Sequence, residues 1–285
     1  MFPQVEKDDK EPDVLTLRYT GVTEGFSTDI MAMADLHWDN PLCDRQLLTD
    51  HLDYAKEKQI PVFVVGDLFC FMQGKGDPRG TKEGVRLEHN VDYYIDAVQE
   101  SAANYFQHYS DVIVAISPGN HDTAMIKHHE INPTRTLNRR LGTHYMGYSG
   151  YYRVMFSDKG NRGRRTTRNI WYHHGYGGGG PVTKGVIQSN RRAVYTPDAH
   201  VVMTGHIHES WILEIRRSRI STRGRTSIDT QYHLQLPTYK DEWTMKGGFH
   251  TQLGRTPRPL GCWLIRFYWH PRRLGKIGIK FERMN

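Results

Sequence analysis

The chain has 285 residues, 38% of them hydrophobic and 24% charged, a balance that builds a folded globular protein and excludes a disordered one. Its net charge is +7 with the histidines neutral, which favours polyanions such as nucleic acid, although a plain solvated basic surface gives the same balance. No apolar run approaches the roughly 20 residues that span a bilayer, and residues 1–13 are charged without an apolar stretch, so no membrane role and no secretory signal are expected. Cys43, Cys70 and Cys262 are widely spaced and odd in number. They make neither a disulfide framework nor a zinc knuckle, and a reducing, cytoplasmic setting is the expectation.

Residues 1–12 are expected to be frayed. Residues 13–19 alternate apolar and polar side chains, as an edge strand does. A second strand over 30–34 ends in Asp35-Leu36-His37-Trp38-Asp39. Residues 44–58 predict a helix with Leu47, Leu48, Leu52 and Ala55 on one face. A buried strand over 61–65 ends in Gly66-Asp67, and a Gly- and charge-rich loop over 73–84 follows. Residues 87–109 predict one helix carrying Tyr94, Ile95, Val98 and Phe106. The β-branched run 112–116 is then stopped by Pro118 and Gly119, which deliver Asn120-His121-Asp122 at a strand's carboxyl end. This β–α–β–α–β order predicts a layered α/β sheet with its chemistry at that end.

Residues 126–141 are expected to be helical in part, broken at Pro133. Beyond them the chain is strand-rich. Residues 151–156 and 169–173 predict a hairpin that ends in His173-His174-Gly175, followed by the run Gly177 to Gly180. Residues 201–204 predict a strand ending in Gly205-His206-Ile207-His208. Further strands are expected at 211–215, 227–235, 262–268 and 277–282. No repeat and no linker divides the chain, so residues 1–285 are expected to form one domain, with a motif-bearing core over about 28–212.

The polar clusters stand together: Asp35 and His37; Asp67; Asn120 and His121; His173; His206 and His208. Each follows an apolar run. In an alternating strand end, Asp35 and His37 point the same way, as do His206 and His208. Any single Asp-x-His is better explained as a structural or surface pair; the ordered set is not. It offers carboxylates, an amide oxygen and imidazoles, enough for two metal ions with open positions, and excludes a cysteine-based structural zinc. A carboxylate bridging two cations about 3.5–4 Å apart also supports a bridging water, whose pKa they lower so that hydroxide can attack a phosphorus in line.

Asp-x-His, Gly-Asp, Gly-Asn-His-Asp, His-His-Gly and Gly-His-x-His occur in that order. The set resembles the motifs of the calcineurin-like metallophosphoesterase superfamily, in its small stand-alone forms, including those of bacteriophage genomes. The resemblance implies an α/β (α+β) fold: a four-layer α-β-β-α sandwich of two mixed sheets flanked by helices. It implies a dinuclear centre in which Asp35, His37, Asp67 and His208 hold one ion and Asp67, Asn120, His173 and His206 the other, with Asp67 bridging. His121 then faces the phosphate and protonates the leaving group, and Asp122 orients it. Either ring of His173-His174 could bind; His173 fits the family's spacing and is taken as the ligand, leaving His174, with Asn120 and His121, as a substrate contact. Where the family's Gly-Asp is usually followed by another polar residue, this chain has Cys70, read as packed.

The implied activity is a metal-dependent phosphoric ester hydrolase. A phosphodiesterase acting on DNA, RNA or a nucleotide is favoured over a phosphomonoesterase or protein phosphatase, and over a non-catalytic nucleic-acid-binding protein. Gly66-Asp67-Leu68-Phe69 looks more like the family's DNA-repair exonucleases than its protein phosphatases. The glycine run could approach a phosphate chain, or be a plain loop. Arg162, Arg164, Arg165, Arg168, Arg191 and Arg192 could track a backbone, or form a solvated face. Manganese is the first expectation for the two divalent ions, with iron, zinc, magnesium or nickel as alternatives. A phage-encoded chain would work in the host-cell cytoplasm. Residues 213–285 are expected to complete the second sheet and cover one side of the cleft; no chemistry is assigned to them.

Overall fold

The computed structural model describes residues 1–71, 84–158, 165–180, 182–243, 249–252, 254–270 and 277–285. The loop expected over 73–84 lies outside them except for Gly84, as do Arg162 and Arg164. In chain order the elements are β1 (Gln4–Lys7), β2 (Val14–Val22), β3 (Ser27–Met33), α1 (Arg45–Lys58), β4 (Val62–Val65), α2 (Tyr94–Gln107), β5 (Ile113–Ser117), α3 (Asn120–His129), α4 (Pro133–Leu141) and β6 (His144–Tyr145). Then come β7 (Ser149–Asp158), β8 (Arg165–His173), α5 (Val186–Tyr195), β9 (Val201–Thr204), β10 (Trp211–Ile220), β11 (Thr226–Gln235), β12 (Cys262–Trp269) and β13 (Ile277–Met284).

Among the described residues the strands make two mixed sheets, one ordered β1-β2-β7-β8-β9-β11-β10 and the other β13-β12-β3-β4-β5-β6. β3, β4, β5 and β6 run parallel, and β12 closes against β3 antiparallel. The residues of β4 and β5 are buried throughout, which is why both read in sequence as unbroken apolar runs. Their side chains alternate between two cores. Met31, Met33, Val62 and Val64 face the helices, meeting Leu48, Leu52, Val98 and Phe106. Ile30, Ala32, Phe63 and Val65 face the other sheet, meeting Leu17, Tyr152, Tyr172 and Val201. Phe63 lies 4.1 Å from the Tyr152 ring, which stacks on Tyr172 at 4.5 Å. On the outer face of the seven-stranded sheet the hydrophobic cluster among the described residues is small, Trp171, Ala199 and Val202, with buried polar side chains such as Thr204, Gln231 and His233 beside it. There α5 is the covering helix, its Arg192 donating to Thr204. The four layers expected are present, the last of them thin. Among the described residues no helix is long and apolar enough to cross a membrane.

Several boundaries differ from the sequence expectations for identifiable reasons. The charged N-terminus is not frayed: β1 pairs antiparallel with β2, which makes β1 the edge and β2 an interior strand. The helix expected over 87–109 is a short 3-10 turn (Leu87–His89) and then α2. Pro133 does not break a helix. It starts α4 at a position where a missing N–H costs nothing, with the Asn132 side chain accepting from Arg135 N–H. Residues 213–285 do not complete one sheet; β10 and β11 extend one and β12 and β13 the other.

Candidate metal centre

Every candidate ligand hangs just beyond the carboxyl end of a strand: Asp35 and His37 after β3, Asp67 after β4, Asn120 after β5, His174 after β8, His206 and His208 after β9. The pleat does not aim them, as the alternating geometry expected. Asp35, His37, Asp67, His206 and His208 all have positive φ, between 47° and 75°. Left-handed backbone at a non-glycine residue costs on the order of 1 kcal/mol or more and persists only where the surroundings impose it. Here it turns each side chain inward from a chain that has just left its sheet.

The side chains form two groups. Asp35, His37 and His208 make one, Asp67, His174 and His206 the other, and within each the ligand-type atoms lie within 4.8 Å of one another. In the first, His37 Nε2 is 3.3 Å from His208 Nε2, which is 3.3 Å from Asp35 Oδ1. In the second, Asn120 Oδ1 sits 3.1 Å from His174 Nε2 and 2.7 Å from His206 Nδ1, and Asp67 Oδ2 is 3.2 Å from His174 Nε2. The groups are joined through His206, whose N–H donates to Asp35 Oδ2 (2.8 Å) while its ring belongs to the other set.

His173 is not in the cluster. Its Nδ1 accepts from Gly175 N–H (2.8 Å) and its ring stacks on Trp171, on the outer face of the sheet. His174 is fully buried and takes the place expected of His173. The strand explains this: neighbouring side chains at the end of β8 point to opposite faces, and only the second faces the cleft. His174 Nδ1 donates to Val65 O (3.0 Å), which leaves Nε2 as the inward atom. Gly66 makes room for it, since a Cβ there would lie 2.1 Å from His174 Nδ1.

His121 lies beside both groups, its ring 5.1 Å from that of His37 and its Nε2 4.0 Å from Asp67 Oδ2. Its orienting partner is different. His121 Nδ1 donates to the Cys70 carbonyl at 2.7 Å, whereas Asp122 accepts from Gly119 N–H at 2.7 Å and closes the first turn of α3. The Cys70 thiol is packed, as expected, near Asn40. Its backbone does the positioning, held by the Asp39 carboxylate, which accepts from Cys70 N–H (2.6 Å), Phe71 N–H (2.8 Å) and Tyr94 Oη–H (2.9 Å). Of the arginines expected along a nucleic-acid backbone, Arg168 donates to Ile277 O and Arg192 is 4% exposed beneath Tyr176. Arg168 is half-buried and Arg192 buried; Arg165 and Arg191 are exposed. Gly177 and Gly178 are exposed with nothing close by.

The segment after β11 was not assigned any chemistry, yet it braces the first group. Thr238 Oγ1 and Tyr239 N–H both donate to Asp35 O, at 2.8 and 3.1 Å. Glu242 Oε2 lies 3.7 Å from His208 Nδ1, and its other oxygen is 2.8 Å from Lys240 Nζ. A carboxylate behind a ligating imidazole fixes its tautomer and raises its basicity.

The electrostatics are those of a cation site. Asp35 Oδ1 is buried, with the His208 imidazole 3.3 Å away. Burial opposes ionisation of Asp67, but the His174 and His121 imidazoles hold its carboxyl well below the usual range. Burial would lower His174; the charge of Asp67 and a hydrogen bond to it outweigh that and raise it to about 10. His208 is likewise raised to about 9, against its burial, by hydrogen bonds to Asp35 and Glu242. His37 moves the other way, well below its ordinary value, through burial and the nearby charges of Lys240, His121 and His208. Burial and the Asp67 charge push Asp122 up to about 7. In the protein alone, protons on His174 and His208 satisfy the buried carboxylates. A divalent ion would displace those protons and find nitrogen, carboxylate and amide oxygen donors, a set that suits manganese, iron or zinc.

No family model and no curated protein matches the chain. Solved structures resembling it include Vacuolar Protein Sorting 29 from Cryptosporidium parvum, 15% identical over 91% of this chain and 98% of that one, with a TM-score of 0.39. A second is Vps29 from Entamoeba histolytica complexed with zinc, 10% identical over 90% and 100%, with a TM-score of 0.35. A third is a conserved uncharacterized protein from Streptococcus pneumoniae, described as a predicted phosphoesterase, 11% identical over 91% and 99%, with a TM-score of 0.30. With likenesses this distant, the class is defined by the chain's own geometry: an α/β sandwich with two adjoining groups of side chains at its strand ends that could each hold a metal ion.

Proposed function

We propose that the chain is a metal-dependent phosphodiesterase acting on nucleic acid or a nucleotide. The observation that carries this reading is the joining of the two ligand groups through His206, with His121 beside them. Asp35, His37 and His208 would hold one ion, and Asp67, His174, His206 and Asn120 the other. Two divalent ions, manganese first, would supply Lewis-acid polarisation of a phosphoryl oxygen and a nucleophilic water of lowered pKa. His121 is the residue for the leaving group. With Nδ1–H held by the Cys70 carbonyl, only Nε2 is left to carry a proton into the cleft, the geometry a general acid needs. The basic balance of the chain supports a polyanionic diester over a small monoester.

The test compares turnover of bis-p-nitrophenyl phosphate and p-nitrophenyl phosphate by manganese-loaded protein, with Asp67→Ala as the blank. The expected result is a diester preference that a chelator abolishes and manganese restores. A monoester preference, or no turnover with two ions bound, overturns the reading.

A further inference from the structure

β10 and β11 do more than extend a sheet. β9 pairs with β11 only over Tyr232–Gln235, so the remainder of β11 is paired with β10 alone. The result is a two-stranded ribbon that continues past its sheet, closed by an ordered turn in which Ser221 N–H donates to Arg225 O and Gly224 N–H to Ser221 O. Between residues 215 and 228 the sequence holds five arginines, no lysine and no acidic residue. Glu214 and Asp229 flank this stretch, so the positive charge is concentrated at the ribbon's far end.

The ribbon's two faces differ. Arg217 is used internally: it pairs with Asp229 and donates to Pro197 O and Ala199 O. Arg219 lies on the same face, against Asp229 and Pro197 O. Arg216 lies on the other face, and Arg223 and Arg225 lie in the turn. All three are exposed, and among the described residues none has a side-chain hydrogen bond or ion pair. Ile220 and Ile228 share the Arg216 face by register, and they are 74% and 55% exposed. Edge strands carry charges to prevent unwanted pairing, but that role does not call for arginines in the turn or for bare isoleucines between them.

We infer that this ribbon binds double-stranded DNA, with Arg216, Arg223 and Arg225 on phosphates. A two-stranded β-ribbon is one of the two shapes the major groove admits, and apolar side chains there meet thymine methyl groups. The ribbon is fixed to the floor of the candidate centre. Its β11 end brings Gln235 Nε2 to Gly205 O (2.8 Å), next to His206, and β10 begins at Trp211, three residues after His208. At about 3.4 Å per residue, its length of 10 residues places the turn roughly 30 Å from that end. The inference deepens the nucleic-acid reading given under Proposed function and rests on it for the substrate, though not for the binding.

The experiment is fluorescence anisotropy of a labelled 24-base-pair DNA duplex with the full chain, between 50 and 200 mM KCl in EDTA, so that no cleavage intervenes. The test variant is R216Q/R223Q/R225Q. The control, R135Q/R139Q/R140Q, removes three exposed arginines from α4 instead. Each lost phosphate contact lowers the slope of log K on log salt by about 0.9. The ribbon variant should therefore lose about 2.7 from that slope and bind at least tenfold more weakly at 150 mM, while the control keeps the wild-type slope. Turnover of bis-p-nitrophenyl phosphate should be unchanged in the ribbon variant. An unchanged slope there, an equal loss in the control, preference for single strands over duplex, or no duplex binding by the wild type overturns the inference. If the wild type binds duplex through the ribbon but turns over no diester, the inference stands and the phosphodiesterase reading fails.

Discussion

Gly119→Ala should disable the second ligand group without replacing a ligand. Gly119 has φ −107° and ψ −167°, extended backbone that alanine adopts freely, so the effect is purely one of space. A Cβ there would stand 2.1 Å from Asp67 Oδ1 and 2.4 Å from Asp67 N, where real Cβ contacts essentially never fall below 3.0 Å. Asp67 must retreat by about 1 Å, and a packed interior resists that at a cost of about 1–3 kcal/mol. The same oxygen accepts from His121 N–H at 2.9 Å, so the movement also pulls on the leaving-group histidine. Melting of the metal-free protein should fall by about 2 °C per kcal/mol lost. Bound manganese should drop from two ions per chain to one, and diester turnover by at least 100-fold, as expected for a misplacement near 1 Å. Gly178→Ala, with nothing within 4 Å of the added methyl, is the matched control and should be silent. A Gly119→Ala protein that melts like the wild type and holds two ions would refute this account of how Asp67 is placed.

Glu242→Gln removes the charge behind His208 and should weaken manganese binding at the first group by about 10–100-fold; calorimetric titration showing wild-type affinity at both sites would reject that role. His174→Ala should lose one bound ion while His173→Ala keeps both, by elemental analysis of dialysed protein, and the reverse pattern would restore the assignment first read from the motif. Acid stability has a separate source in His233, which is 1% exposed and which burial, with Arg192 and Arg217 nearby, pushes down to about 4. Between pH 6.5 and 4 the unfolded chain takes a proton there that the folded chain refuses, so stability falls as pH falls through that window, by about 3 kcal/mol at its foot. His233→Gln should flatten that part of the pH–denaturation profile, and an unchanged slope would reject it.

The layered fold and most of the centre were legible because β3, β4, β5 and β9 are short, buried and followed at once by their polar residues. A strand that is apolar on both faces ends abruptly, and the first polar side chains after it mark the mouth of the cleft. What the sequence could not supply is direction. His173 and His174 are both histidines after the same strand, and a one-residue step in a strand exchanges the core face for the outer one. Which of them turns inward depends on Val65 O and the space left by Gly66, contacts across two strands. Asp122 was likewise legible as an acid beside His121. A backbone carbonyl, at Cys70, can hold an imidazole as well as a carboxylate can, and carries no side-chain signature at all.

Glu242 shows the same limit at longer range. It follows no apolar strand and belongs to no motif, and only the return of the chain after β11 brings it behind His208. The arginines of the β10–β11 ribbon were legible as charge, yet charge alone does not separate a solvated face from a binding one. What separates them is pairing. Arg168 and Arg192, which the sequence placed among the backbone-tracking arginines, are tied to the fold, whereas among the described residues Arg216, Arg223 and Arg225 have no side-chain partner on a ribbon rooted beside the ligands. A cationic side chain that the fold does not use is one that a polyanion can use without first breaking an internal bond; exposed arginines of that kind also lie on α4, so it is the ribbon's shape and its root beside the ligands that set it apart.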